Sequence, residues 1–227
     1  MMEFMVSDEW KATYPGAAVG ILAMRGVSNP DRHSALDERN EELEHQLRSK
    51  YSGYDRVALK ALPTIQAYNN YYKLFNKTYH VQLQLESVVF KGKSIPHVSA
   101  LVEAMFMAEL KNLLLTAGHD SDVLQAPLRI DVADGSESYT RINGKDQTLK
   151  TGDMMISDAQ GVISSVLYGP DHRTRITSNT KQVAFTVYAP PGIGEKAVYE
   201  HLEDIRSNVS IVALGSEVEL LNVYCAE

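Results

Sequence analysis

The chain has 227 residues, 44% of them apolar, with 22 basic against 29 acidic side chains and a formal charge of -7. That length and apolar share suffice for one large hydrophobic core, so a single domain over 1–227 is expected. The acidic balance argues against DNA and against broad nucleic-acid binding by counterion release, and the single cysteine, Cys225, excludes an internal disulfide or a cysteine metal cage.

At the N-terminus, Glu3, Asp8 and Glu9 stand where a signal peptide would carry positive charge. No run approaches the roughly 20 apolar residues of a membrane span. A cytoplasmic protein without a membrane partner is expected. The segment 15–30, PGAAVGILAMRGVSNP, reads as a buried strand between turn signals. Residues 34–51 then predict a helix, with Ser34 and Asp37 in capping-box spacing and charge running from acidic to basic as the helix dipole prefers. After Pro63, the three- and four-residue spacing of Ile65, Tyr68, Tyr72 and Phe75 predicts a helix with an aromatic stripe, read as core and not as a base-stacking surface. Residues 98–115 are apolar around most of a helical circumference and predict a buried helix carrying Glu103. From Leu128 the pattern changes to short strands bounded by Gly, Pro, Asn and Asp, followed by a helix over 195–208 and an apolar tail, 209–215, expected to return as a strand. Helices followed by strands indicate an α+β fold, with helices of the N-terminal half packed on a mostly antiparallel sheet system from the C-terminal half.

There is no P-loop, no Gly-x-Gly-x-x-Gly, no Gly-x-Ser-x-Gly elbow and no His-Glu-x-x-His. His119, Asp120 and Asp122 are conceivable metal ligands, but Asp and Ser at this spacing more often build a turn. No metal or cofactor is expected. Glu103 reads either as a perturbed acid or as half of an ion pair with Arg25 or Arg173, and His97, after Pro96, as a ligand contact or a helix cap. The densest polar stretch follows the strand-like run 162–169. It brings together Asp171, His172, Arg173, Thr174, Arg175, Thr177, Ser178, Asn179 and Thr180, a mixture suited to an amino group, a ribose hydroxyl or a phosphate.

The ordered blocks IPHVSALVEAMFMAELKNLLLTAGHDSDVL (95–124) and GDMMISDAQGVISSVLYGPDHRTRIT (152–177) resemble the tRNA-editing module, B-three and B-four, of the bacterial phenylalanyl-tRNA synthetase β subunit. The likeness runs from about Val57 to Tyr188. Matched block by block, Leu101-Val102-Glu103 stand at the family's Val-Val-Asp, His119-Asp120 at its Phe-Asp, Ser164-Ser165 at its strand-end glycine pair, and Gly169-Pro170-Asp171 at its Gly-Gly-Glu. The family's active-site histidine falls on Ala117. The resemblance implies the editing domain's fold and a trans-editing hydrolase that removes a wrong amino acid from tRNA by attack of a positioned water on the aminoacyl ester. It implies Asp171, His172, Ser164, Ser165 and His119 as catalytic residues. His97, Glu103, Tyr168, Arg173, Thr174, Arg175 and Asn179 would bind substrate, with the aminoacyl-tRNA acceptor end as a transient partner. The serines and the shorter acid shift selectivity toward a smaller or differently polar amino acid. The alternative is a non-catalytic module of the same fold that binds a tRNA end, an amino acid or a small metabolite. A third reading is a metal-dependent hydrolase using His97, His119 and Asp120.

Overall fold

The computed structural model describes residues 4–227. Two sheets form its frame. The first contains β1 (Phe4–Val6), β4 (Leu128–Val132), β7 (Met154–Asp158), β8 (Gly161–Ser165) and β9 (Gly169–Pro170) in that order, antiparallel except for the parallel β1–β4 pair. The second orders β11 (Glu217–Cys225), β2 (Ala18–Arg25), β10 (Gln182–Ala189) and β3 (Leu115–Asp120), antiparallel throughout. A small hairpin, β5 (Ser138–Thr140) with β6 (Asp146–Thr148), lies over β8. The mixed architecture with antiparallel sheets is the α+β fold that the order of sequence patterns implies.

β2 is buried along nearly its whole length, as its unbroken apolar run requires for a strand inside a sheet covered by helices. Gly20 marks the closest approach: a Cβ there would lie 2.4 Å from Cγ1 of Val198 on α7 (Glu195–Val212). The N-terminal α1 (Asp8–Thr13) is capped by Ser7, whose side chain accepts from the Trp10 amide. α2 (Ser34–Lys50) forms where the charge pattern places it, but without the expected capping box. Its N-cap is His33, and Asp37 turns toward Arg32 and His97 instead of closing back on Ser34. α3 (Arg56–Lys60) is capped by Asp55. In α4 (Pro63–Leu74) proline occupies the first turn, where its missing N–H costs nothing, and the aromatic stripe is core. Tyr68 stacks on Tyr79 at 4.1 Å, and Tyr72 donates to the Val166 carbonyl at 2.9 Å.

Three expectations are corrected. Residues 98–115 are not one helix: α6 spans Ala100–Asn112, Leu113 breaks it in a left-handed conformation (φ 61°), and the chain resumes as β3. His119 therefore lies on a buried strand, while Asp120 ends that strand and opens the expected turn, its Oδ1 accepting from the Asp122 amide at 3.1 Å. The run of leucines across the junction hides that boundary, because apolar residues serve a buried helix and a buried strand equally. The tail 209–215 does not return as a strand: α7 continues to Val212, and β11 is the later, more polar segment. Glu103 pairs with neither Arg25 nor Arg173. Asn40 donates to it at 2.5 Å and His97 Nδ1 lies 3.1 Å away. α5 (His80–Lys91) follows Tyr79 and packs on α2 and α6.

Candidate functional site

The loop after β9 sits where the two sheets meet. Gly169, with φ +75°, takes the tight turn that returns the chain along β8, pairing Ser165 with Gly169 and Ser164 with Pro170. The Asp171 amide then donates to the Ile163 carbonyl at 2.7 Å and the His172 amide to the Thr140 carbonyl at 2.8 Å. The rest of the loop is tied to the second sheet. Asp120 N donates to Thr174 O at 2.7 Å, Thr180 Oγ1 donates to Asp120 Oδ2 at 2.6 Å, and Asn29 holds the Thr177 carbonyl at 2.9 Å. A polar segment fixed at this many points is a built wall.

Its centre is a chain of three side chains. Asp171 is buried and its Oδ1 accepts from both the amide and the hydroxyl of Thr174. Because that hydroxyl gives its hydrogen to Asp171, the 2.8 Å contact between Thr174 Oγ1 and His119 Nδ1 requires the imidazole to donate. His119 is thus the Nδ1–H tautomer. Its Nε2 lone pair is buried with no partner in the protein. Burial, with Arg173 adding to it, holds the imidazole down to about 3, so it is neutral at physiological pH. Burial also pushes the Asp171 carboxyl up, against the pull of Thr174.

Arg173 is committed elsewhere. It makes a two-pronged bond to the buried Asp158 carboxylate at 2.9 and 2.8 Å, and its Nε stands 3.7 Å from Asp171 Oδ2. Arg175 donates to the His172 carbonyl at 2.6 Å and lies 3.1 Å from His172 Nδ1, tying the imidazole to the outer edge of the loop. Asn179 is exposed at the loop's far end. An open cavity of about 320 Å³ is lined by Tyr139, Thr140, Gln160, Val162 and neighbours together with Asp171, His172 and Arg173; Asp171 is the one carboxylate in its wall.

The two serines cannot act side by side, because successive strand residues face opposite ways. Ser164 is fully buried and bonded to the Tyr188 hydroxyl at 2.5 Å, in the seam between the sheets. Ser165 Oγ, buried without a hydrogen bond of ordinary geometry, lies on the other side near the Asp153 carboxyl and the Tyr139 phenol. Ala117 shares the seam-facing side of β3 with His119, opposite Thr186 and Ala184 of β10. Tyr168 is half-buried, with Lys77 4.6 Å and Arg141 5.9 Å from its ring centre. His97 and Glu103 form a separate cluster with Asp37, and no hydrogen bond or ion pair joins it to Asp171 among the described residues. His119 and Asp120 do not converge on a metal with His97: the one group of His, Asp or Glu ligand atoms close enough among the described residues is Asp37, His97 and Glu103.

Asp153 was hidden in the sequence as an ordinary turn acid after Gly152. Fully buried, it accepts from the Tyr71 hydroxyl at 2.7 Å, and burial pushes its carboxyl up to about 7. Only its following strand, Met-Met-Ile, signalled that it enters a core.

A two-sheet α+β frame with a polar loop walled between the sheets defines a class, and the comparison with known families gives that class its name. The model of the B3/4 domain matches residues 66–211, well over half of the chain, and the chain belongs to that family. The phenylalanine--tRNA ligase beta subunit of Tropheryma whipplei (strain Twist) is 35% identical over 65 residues, a stretch covering 29% of this chain and 7% of that protein. An N-terminal fragment of the phenylalanyl-tRNA synthetase β-subunit from Pyrococcus horikoshii has a similar fold, with a TM-score of 0.51 at 11% identity, covering 98% of this chain and 54% of the fragment. The chain thus spans about half of that fragment and a small part of the bacterial subunit.

Proposed function

We propose that this protein is a trans-editing deacylase that hydrolyses the ester between a wrong amino acid and the terminal ribose of a tRNA in the cytoplasm. The observation that carries the reading is Asp171: a buried acid, alone among carboxylates in the wall of a small polar cavity, at the position where the editing module's substrate-reading glutamate falls. Membership of the B3/4 family supports it, as do two relatives whose names are those of phenylalanyl-tRNA synthetase β subunits.

In this reaction Asp171 holds the α-amino group or a polar side-chain group of the aminoacyl moiety, and Thr174 keeps its carboxylate oriented. Water adds to the ester carbonyl carbon, the carbon–oxygen bond to the ribose breaks, and the ribose oxygen takes up the proton as the free amino acid leaves. An aminoacyl ester is already activated, so positioning the water is a large part of the task. His119, fully buried behind the cavity wall, acts as a positioning residue: its Nδ1–H holds the Thr174 hydroxyl, which keeps the Asp171 carboxylate oriented toward the substrate. Ser165 and backbone amides of the β8–β9 turn contact the developing oxyanion. His172, Arg175 and Asn179 at the rim contact the acceptor end, with Tyr168 and its two cations beside them. His97 and Glu103 lie apart from this centre, so the acceptor-end contacts are assigned to the loop and rim.

Release of labelled amino acid from a panel of correctly and wrongly charged tRNAs tests the proposal. Selective release from one mischarged species is the expected result. The second reading, a binding module without turnover, draws on one feature: Ser164 and Arg173 are both engaged by protein partners, which limits the reactive groups presented. Retention of charged tRNA with its ester intact would favour it.

A further inference from the structure

Outside the loop, one cluster of chemistry-bearing residues has no part in the proposed reaction. Asp37 lies in the first turn of α2, Glu103 in the first turn of α6, and His97 on the segment that leads into α6. His97 Nδ1 is 3.1 and 3.2 Å from the two Glu103 oxygens and 3.5 Å from Asp37 Oδ1, and one ligand atom from each residue lies within 4.8 Å of the others. Ligands held at about 2.0–2.1 Å from a tetrahedral zinc ion stand about 3.3–3.4 Å apart, the spacing that His97 shows to both acids.

A shared proton accounts for only part of this arrangement. If His97 Nδ1–H donates to Glu103, Asp37 Oδ1 is left buried with no hydrogen bond. Asn40, one helical turn after Asp37 and 1% exposed, uses its amide nitrogen on Glu103, while its Oδ1 is buried and also unpartnered. Asp37 Oδ1, an orphaned carboxylate oxygen 3.5 Å from His97 Nδ1, is accounted for by a positive group held among Asp37, His97 and Glu103. Arg32 does not supply it, since its guanidinium is on the other Asp37 oxygen, Oδ2, at 3.0 Å. Those outer bonds from Arg32 and Asn40 orient the two carboxylates as hydrogen-bonding neighbours orient metal ligands.

We propose that Asp37, His97 and Glu103 form a three-ligand site for a divalent transition-metal ion of the zinc type, one nitrogen and two oxygens, with solvent completing the coordination. The donor set suits such an ion better than magnesium or calcium, which favour all-oxygen shells. The site would clamp α2 to the entry of α6. Two residues before Glu103, the Leu101 amide donates to Asn29, whose side chain also holds the Thr177 carbonyl, so the clamp is connected to the loop at the sheet junction.

Chain freed of metal by chelation and then titrated with Zn²⁺ by calorimetry tests this, with Co²⁺ absorption reporting the ligand field. One ion per chain is expected, with an affinity reduced at least 10-fold in His97→Ala and in Glu103→Gln. Zn²⁺ should raise the melting temperature of the wild type and not of His97→Ala, which also removes a hydrogen-bonding partner of buried Glu103 and should itself melt below the metal-free wild type. Absence of saturable binding by the wild type overturns the proposal. So does binding that survives His97→Ala, or that is lost instead in His172→Ala.

Discussion

Two polar clusters of this protein treat their side chains in opposite ways. At the sheet junction, Asp171, Thr174 and His119 form a directed chain in which each hydrogen is assigned, leaving one imidazole lone pair over. On the helical side, Asp37, Asn40, His97 and Glu103 bring acceptors together faster than donors, leaving two buried oxygens without a hydrogen. The first arrangement is balanced, each donor meeting an acceptor. The second is electron-rich, and the proposed ion would balance it. The difference lies in counting donors against acceptors, not in residue type, since both clusters hold an acid and a histidine.

The largest stability effect that would break this contrast is expected at Arg173. Asp158 is a buried anion whose only cationic partner among the described residues is Arg173, so Arg173→Ala should destabilise by about 3 kcal/mol, the low end for a broken buried pair because Asp158 keeps the Gln125 and Gln160 amides. Denaturant unfolding measures it, and a loss under 1 kcal/mol would show that the loop is not anchored there. Asp171→Ala should cost about 1–3 kcal/mol by leaving the buried Thr174 amide and hydroxyl without an acceptor. Thr174→Val sharpens the comparison: it frees the His119 tautomer while preserving shape, and should reduce deacylation about 10-fold or more, whereas Thr174→Ser should retain most of the activity.

A smaller, pH-dependent effect separates the buried acids from the buried histidines. Burial raises Asp153 to about 7 and Glu109 to about 8, so the stability they contribute is fully present below their ordinary values near 4 and is lost as pH rises through 7 and 8. His119 and His201 are held down to about 3 by burial, so their contribution is present above about 6.5 and is lost as pH falls toward 3. The two trends oppose each other between about 4.5 and 6.5, and above 6.5 the acids alone set the slope. The melting temperature should therefore fall from pH 6.5 to 8.5, and Glu109→Gln or Asp153→Asn should flatten that fall. An unchanged slope in both variants would contradict the assignment.

Much of the frame was legible in the sequence because periodicity and turn residues agreed: β2, α2, α4 and α7 all follow their patterns. β3 was not, because Leu113, Leu114 and Leu115 continue the apolar surface of α6 across a left-handed break. The wall of the candidate site was legible from its crowding of polar types between Asp171 and Thr180. Its internal chemistry was not. His119 and Thr174 are 55 residues apart, and their bond exists only because β3 and the loop come together at the sheet junction. Likewise Asp37 gave no sign of meeting His97 and Glu103, since nothing in a helix's charge pattern distinguishes a solvated acid from one turned toward another helix.

The most direct test of the central claim is single-turnover release of labelled amino acid from mischarged tRNA by the wild type and by Asp171→Ala, each confirmed folded by its unfolding transition. The reading of Asp171 as the substrate-holding acid predicts selective release by the wild type and at least a 100-fold slower release by the variant. Equal release by the two folded proteins, or none by the wild type from any mischarged tRNA, would contradict it.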